Sequence, residues 1–119
     1  DPSGYLTVPD AIEFMESVGL QPFRDRTYWL ADQARQRLMA EFGGTPLANP
    51  DDGWYGCMAH VPLPAGDWTD LQHRLWQVHG IEVPIIHFEN EWFVRVSCHL
   101  YNNQLHLDTL VQALWCETR

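Results

Sequence analysis

One arginine sits where a cation is expensive. The run Glu91-Trp92-Phe93-Val94-Arg95-Val96-Ser97-Cys98 reads as a strand. Such a strand points Trp92, Val94, Val96 and Cys98 to one face and Phe93, Arg95 and Ser97 to the other. A guanidinium in so apolar a strand must reach water, a carboxylate or a ligand, because an unpaired buried charge is costly. By spacing alone the commoner outcome is an arginine on a solvated face, or one tied to a nearby acid. The alternative chemistry is anion recognition, since the planar guanidinium can make two parallel hydrogen bonds to a carboxylate. Ser97 and Asn102 are close enough in sequence to help orient it, and Asn102 reads equally well as a turn residue.

The other reactive side chains form weaker patterns. The six histidines (His60, His73, His79, His87, His99 and His106) make neither H-x-x-x-H nor H-E-x-x-H, so no metal site is expected. His87 and His99 flank the strand of Arg95 and are candidates for lining a substrate side. Cys57, Cys98 and Cys116 are odd in number and contain no C-x-x-C. They read as free thiols of a reducing cytoplasm. Cys98-His99 is not a nucleophile–base pair, because successive strand residues point to opposite faces. The acidic pairs Asp51-Asp52 and Glu89/Glu91 fall in a loop and a turn, where solvation is the default. There is no glycine-rich phosphate loop and no G-x-S-x-G, and Ser3, Ser17 and Ser97 have no base at a recognisable spacing.

These residues have to be positioned by one domain, because 119 residues (1–119) support a single modest core. The formal charge of −9, with no basic run, argues against nucleic acid and anionic membranes as partners. The longest apolar runs are far too short to span a bilayer. No signal-peptide pattern opens the chain, and it does not begin with Met, so a piece of a longer protein is expected. Six tryptophans are a heavy load for this length. Trp29, Trp54, Trp76, Trp92 and Trp115 cannot all be central, and some are expected to face a partner.

The expected element order is helix, helix, strand, helix, strand, strand, helix. Thr7 caps the first helix, with Pro9 and Asp10 in its first turn and Gly19 as its stop. Val8, Ala11, Ile12, Met15 and Val18 form its apolar stripe. A second helix is expected over 23–42, with Phe23, Thr27, Leu30, Ala31, Ala34 and Leu38 on one side and Arg24, Asp32, Arg35 and Gln36 mainly on the other, solvated one. Residues 45–53 read as a loop. A strand over 57–61 follows, then a helix capped by Asp67 with Trp68, Leu71, Leu75 and Val78 buried. The second strand, over 81–86, contains Pro84 and so belongs on an edge. Asn103 caps the last helix, whose core face is Leu107, Leu110, Val111 and Leu114. A crossover and then a hairpin leave the centre of the sheet for the Arg95 strand. The fold class is α+β, a two-layer sandwich of a small three-stranded antiparallel or mixed sheet with helices on one face.

Longer runs of the chain carry a family resemblance. Arg95-Val96-Ser97-Cys98-His99-Leu100-Tyr101-Asn102, preceded by Gly80-Ile81-Glu82-Val83-Pro84, resembles the C-terminal end of class V aminotransferase-like enzymes, in the branch of isopenicillin N epimerase-like proteins. The run from Asp1 to Phe14 is similar to that family's segment leading from its large domain into its small one. Met58-Ala59-His60-Val61-Pro62-Leu63-Pro64 is similar to its first small-domain strand. The resemblance covers nearly the whole chain and implies the small domain of the pyridoxal-phosphate-dependent transferase fold. It also implies an amino-acid substrate, a homodimer in full length, and a connecting helix over 1–20 toward a large domain. Arg95 falls where the family keeps an arginine for the substrate α-carboxylate, with Ser97 and Asn102 beside it. His106 departs from the family's usual acid at the third position of the last helix.

All seven basic residues are arginine, and there is no lysine. Pyridoxal phosphate is held as a Schiff base with a lysine. The cofactor is therefore expected in a parent enzyme and not in this chain, which alone is not expected to be active. Epimerisation, C–S lysis and transamination are not separated by these residues. The alternative reading is a stand-alone acidic binding or interaction module without catalysis.

Overall fold

The last strand in sequence is the middle strand in space. Among the described residues, 1–48 and 55–119 of this computed structural model, the elements are α1 (Ser3–Leu6), α2 (Val8–Val18), α3 (Leu20–Phe42), β1 (Met58–Pro62), α4 (Leu71–His79), β2 (Ile85–Phe88), β3 (Glu91–Ser97) and α5 (Gln104–Glu117). The sheet order is β1-β3-β2, and both pairings are antiparallel. This is the expected α+β two-layer arrangement, with an antiparallel rather than a mixed sheet. Asp51-Asp52, Trp54 and the end of the expected 45–53 loop lie outside the described residues.

Alternation along β3 sets the layers. Val94 and Val96 point into a core shared with Val61 of β1, Leu30, Ala34 and Leu38 of α3, Leu71 and Leu75 of α4, and Leu107, Leu110 and Leu114 of α5. Each of these valine and leucine side chains contributes roughly 1.5–3 kcal/mol on burial. The opposite face is less solvated than expected. Register sets Phe93 between Pro62 and Ile86, and Phe93 is only 1% exposed. The chain leaving α3 crosses directly over Pro62 at Gly44, where a Cβ would lie 2.8 Å from the Pro62 ring and φ is +92°.

Local signals explain most element ends. Gly80 adopts a left-handed conformation after α4, and the Ile81 N–H returns to the Leu75 carbonyl at 3.0 Å. Glu89 and Asn90, with φ of 48° and 68°, close the tight β2–β3 hairpin. The Asn103 side chain caps α5 by accepting from the His106 N–H at 3.2 Å.

Several expected boundaries move. α3 starts at Leu20 rather than Phe23, because Pro22 falls in its first turn, where backbone donors have no intrahelical acceptor. Asp67 does not cap α4. Its carboxylate accepts from the Thr69 N–H at 3.1 Å and the Thr69 hydroxyl at 2.6 Å, and the helix begins only at Leu71. Val78 is 69% exposed rather than buried, and Trp68 reaches the core from ahead of the helix. β2 begins at Ile85, just past Pro84, not at Ile81. The Thr7 hydroxyl donates back to the Gly4 carbonyl at 3.0 Å and satisfies no donor of α2.

No residue of α1 or α2 is buried, and Tyr5, Leu6, Val8, Ile12 and Phe14 are exposed. Trp29 and Trp76 are also exposed, whereas Trp92 and Trp115 pack against the core. No helix among the described residues is long and apolar enough to cross a membrane.

Candidate functional site

β3 delivers Arg95 to the middle of the sheet. Its Cα partner on β1 is His60. The Arg95 N–H points the other way and donates to the Pro84 carbonyl at 3.0 Å. On the β1 side, bonds from Leu63 to Trp92 and from Cys98 to Cys57 bracket the ladder. Alternation between them makes His60 and Arg95 a non-hydrogen-bonded pair, the register in which facing side chains stand closest. Electrostatics agree with this placement. His60 is held below the usual imidazole value, first by burial and then by the Arg95 charge.

Arg95 has no ion-pair partner among the described residues. The four ion pairs found there join Arg35 to Asp32, Arg37 to Asp108, Arg74 to Glu117 and His79 to Glu117. Its Nε is buried and makes no hydrogen bond among the described residues. Arg35 Nε is in the same condition, so the buried Nε alone does not set Arg95 apart.

A cleft of about 410 Å³ opens between residues 80–84, the end of β3 and the start of α5, with Leu30 and Ala34 of α3 at its base. Arg95, Ser97 and Asn102 are all among its lining residues, although alternation along β3 turns the Arg95 and Ser97 side chains away from the face on which Val96 and Cys98 meet Leu30 and Ala34. Asn102 also closes the turn between β3 and α5. Its Oδ1 accepts from the His99 N–H at 2.7 Å, and its own N–H donates to the His99 carbonyl at 3.0 Å. Its side-chain nitrogen reaches His106 Nδ1 at 3.5 Å. Asn102 is thus both a turn residue and a cleft residue.

The histidines are distributed differently from expectation. Neither His87 nor His99 lines the cleft. His87 lies against the Trp92 ring at 4.6 Å, and His99 is held between Tyr101 and Phe23. His79 and His106 line the cleft instead. Spacing could not identify them, because the α4–β2 connection and the start of α5 meet only in the fold. No group of three or more metal-ligating side chains occurs among the described residues.

A second polar cluster corrects the reading of the α3 charges as solvated. Tyr55 donates to Asp32 at 2.7 Å and stacks on Tyr28, and the Arg35 guanidinium lies over its ring. Burial, then the bonds to Asp32 and Tyr28, push the Tyr55 phenol up to about 12. Arg35 is correspondingly only 14% exposed.

Fold and cleft together define a small two-layer α+β domain in which Arg95, an arginine with no ion-pair partner among the described residues, lines a cleft. No protein-family model matches the chain. It is similar to the isopenicillin N epimerase of Amycolatopsis lactamdurans, with 35% identity over 111 residues. That match covers 92% of this chain and 28% of the relative, so the chain spans little more than a quarter of the protein it matches.

Proposed function

We propose that this chain is the C-terminal small domain of a pyridoxal-phosphate-dependent, class V aminotransferase-like enzyme related to isopenicillin N epimerases. In this reading Arg95 binds the α-carboxylate of an amino-acid substrate, and Ser97 and Asn102 help orient it. The observation that carries the reading is the 35% identity to an isopenicillin N epimerase, joined to an arginine with no acid partner among the described residues, on the wall of a cleft. The guanidinium would fix substrate orientation through two parallel hydrogen bonds, and the apolar cleft wall would limit competition from water. By the same resemblance the parent enzyme is a cytoplasmic homodimer, and residues 1–20 lead toward its large domain.

The covalent anchor of the cofactor is not among these residues. With no lysine in the chain, no side chain here can anchor pyridoxal phosphate as a Schiff base. Its anchor is assigned to the remainder of the parent enzyme, and no catalytic step is derived from the present residues.

The test uses the full-length protein with isopenicillin N and other amino-acid substrates, read by chiral chromatography. Arg95→Lys keeps the charge but loses the fork. It should lower kcat/KM on the order of a hundredfold, the loss of one or two charge-assisted bonds. Unchanged turnover of every substrate by Arg95→Lys would end the carboxylate role.

A further inference from the structure

We infer that Cys57 and Cys98 are a site of reversible oxidation, closing a disulfide between the start of β1 and the end of β3. The β1–β3 register ends with Met58 opposite Ser97, which leaves Cys57 and Cys98 as the next residues on the two chains, just outside the strands. The bond from the Cys98 N–H to the Cys57 carbonyl, at 2.8 Å, shows that pairing persists to this point. Directly opposed residues of an antiparallel pair project their side chains to the same face. One of the two bonds of a hydrogen-bonded antiparallel pair is present here, and Cα atoms in such pairs lie about 5.5 Å apart, inside the roughly 4.4–6.8 Å that a disulfide spans. Neither cysteine is bonded to another here, so both thiols are present to react.

The two thiols differ in access, and that sets the order of events. Cys57 is partly exposed, whereas Cys98 is buried. Burial, and secondarily Cys57, push the Cys98 thiol up, so it is a poor target for reagents from solvent. With a small disulfide as oxidant, the Cys57 thiolate attacks one sulfur and releases one thiol, leaving a mixed disulfide. Deprotonated Cys98 then attacks the Cys57 sulfur and releases the second thiol. Two protein thiols and one small disulfide become one protein disulfide and two small thiols. Cys116 is exposed near the end of α5 and is not placed to compete within the molecule. Cys98 also lines the cleft beside Ser97, so the bond would pin the cleft's sheet wall to β1.

The experiment treats the full-length protein with excess oxidised glutathione under native conditions, followed by acid quench, trypsin and mass spectrometry without reductant. Arg95 and Arg119 enclose both Cys98 and Cys116, so the Cys116→Ser variant is used to make the linkage unambiguous. The expected product is the Cys57 peptide joined to the Cys98 peptide, released by dithiothreitol, with a rise in melting temperature that reduction reverses. In Cys98→Ser, glutathione should remain on Cys57. Persistent glutathione on Cys57 in the Cys116→Ser protein, with Cys98 still free, would overturn the proposal. So would absence of modification at both positions.

Discussion

His60 of β1 and Arg95 of β3 face each other across the sheet, and their proximity favours a neutral imidazole. Burial comes first and the guanidinium charge second in holding His60 below its ordinary 6.5. Because the folded value lies below the unfolded one, the unfolded chain binds more protons between the two. Stability therefore rises with pH through that window, is complete above 6.5, and is lost as pH falls toward the folded value.

Arg95→Gln removes the second cause and leaves the first. The His60 titration midpoint, followed by NMR of its ring protons, should move up toward 6.5 without reaching it. An unchanged midpoint would mean that the two side chains do not share a face.

Glu117 ties the ends of two helices together. One carboxylate oxygen accepts from Arg74 Nε at 2.8 Å, and the other lies 2.9 Å from His79 Nε2. The bond to His79, then that to Arg74, hold the carboxyl below the ordinary 4.5. For a depressed acid the contribution is present above the unfolded value and is lost as pH falls through the folded one. Glu117→Gln should cost about 1 kcal/mol at neutral pH, allowing for solvent screening at Arg74. The variant should also lack this component of the acid melt, as measured by circular dichroism against pH.

Asn103 supplies the side-chain cap of α5. Asn103→Ala should lower stability by about 1 kcal/mol, seen as a lower urea midpoint at an unchanged m value. Since α5 begins at the cleft, the same variant should loosen Asn102 and raise amide exchange at His99.

Gly44→Ala combines two penalties at one position. The backbone has a positive φ, and the added methyl would meet the Pro62 ring. A loss of more than about 1 kcal/mol is expected by thermal melting, far above that of a surface alanine. A neutral result would show that the crossing over Pro62 is loose.

Short-range signals made the sheet and much of the site legible. Alternation along residues 91–97 and the missing donor of Pro84 point to a central β3 and an edge β2, and that order holds although Pro84 lies just before β2. Asn103 works as a cap because capping needs only the next turn of chain. What failed depends on distant partners. Asp67 finds Thr69 before it finds a helix, and Pro22 is harmless because of where the helix begins. The pairing of Tyr55 with Asp32, and of His60 with Arg95, joins residues that no local spacing relates. Arg95, Ser97 and Asn102 were legible as neighbours in sequence, whereas His79 and His106 reach the same cleft only through packing.

The β1-β3-β2 order has a consequence on the ribosome. β1 and β2 have no pairing with each other, and both wait for β3. As the chain emerges, β1 can pack against α3, but its pairing edge stays open until residues 91–97 have cleared the exit tunnel. A nascent chain stalled after Phe88 would hold two strands with no common neighbour and so no sheet at all. Assembly of this layer is thus concentrated at a late moment of synthesis, and the waiting edge of β1 is the segment most in need of chaperone cover.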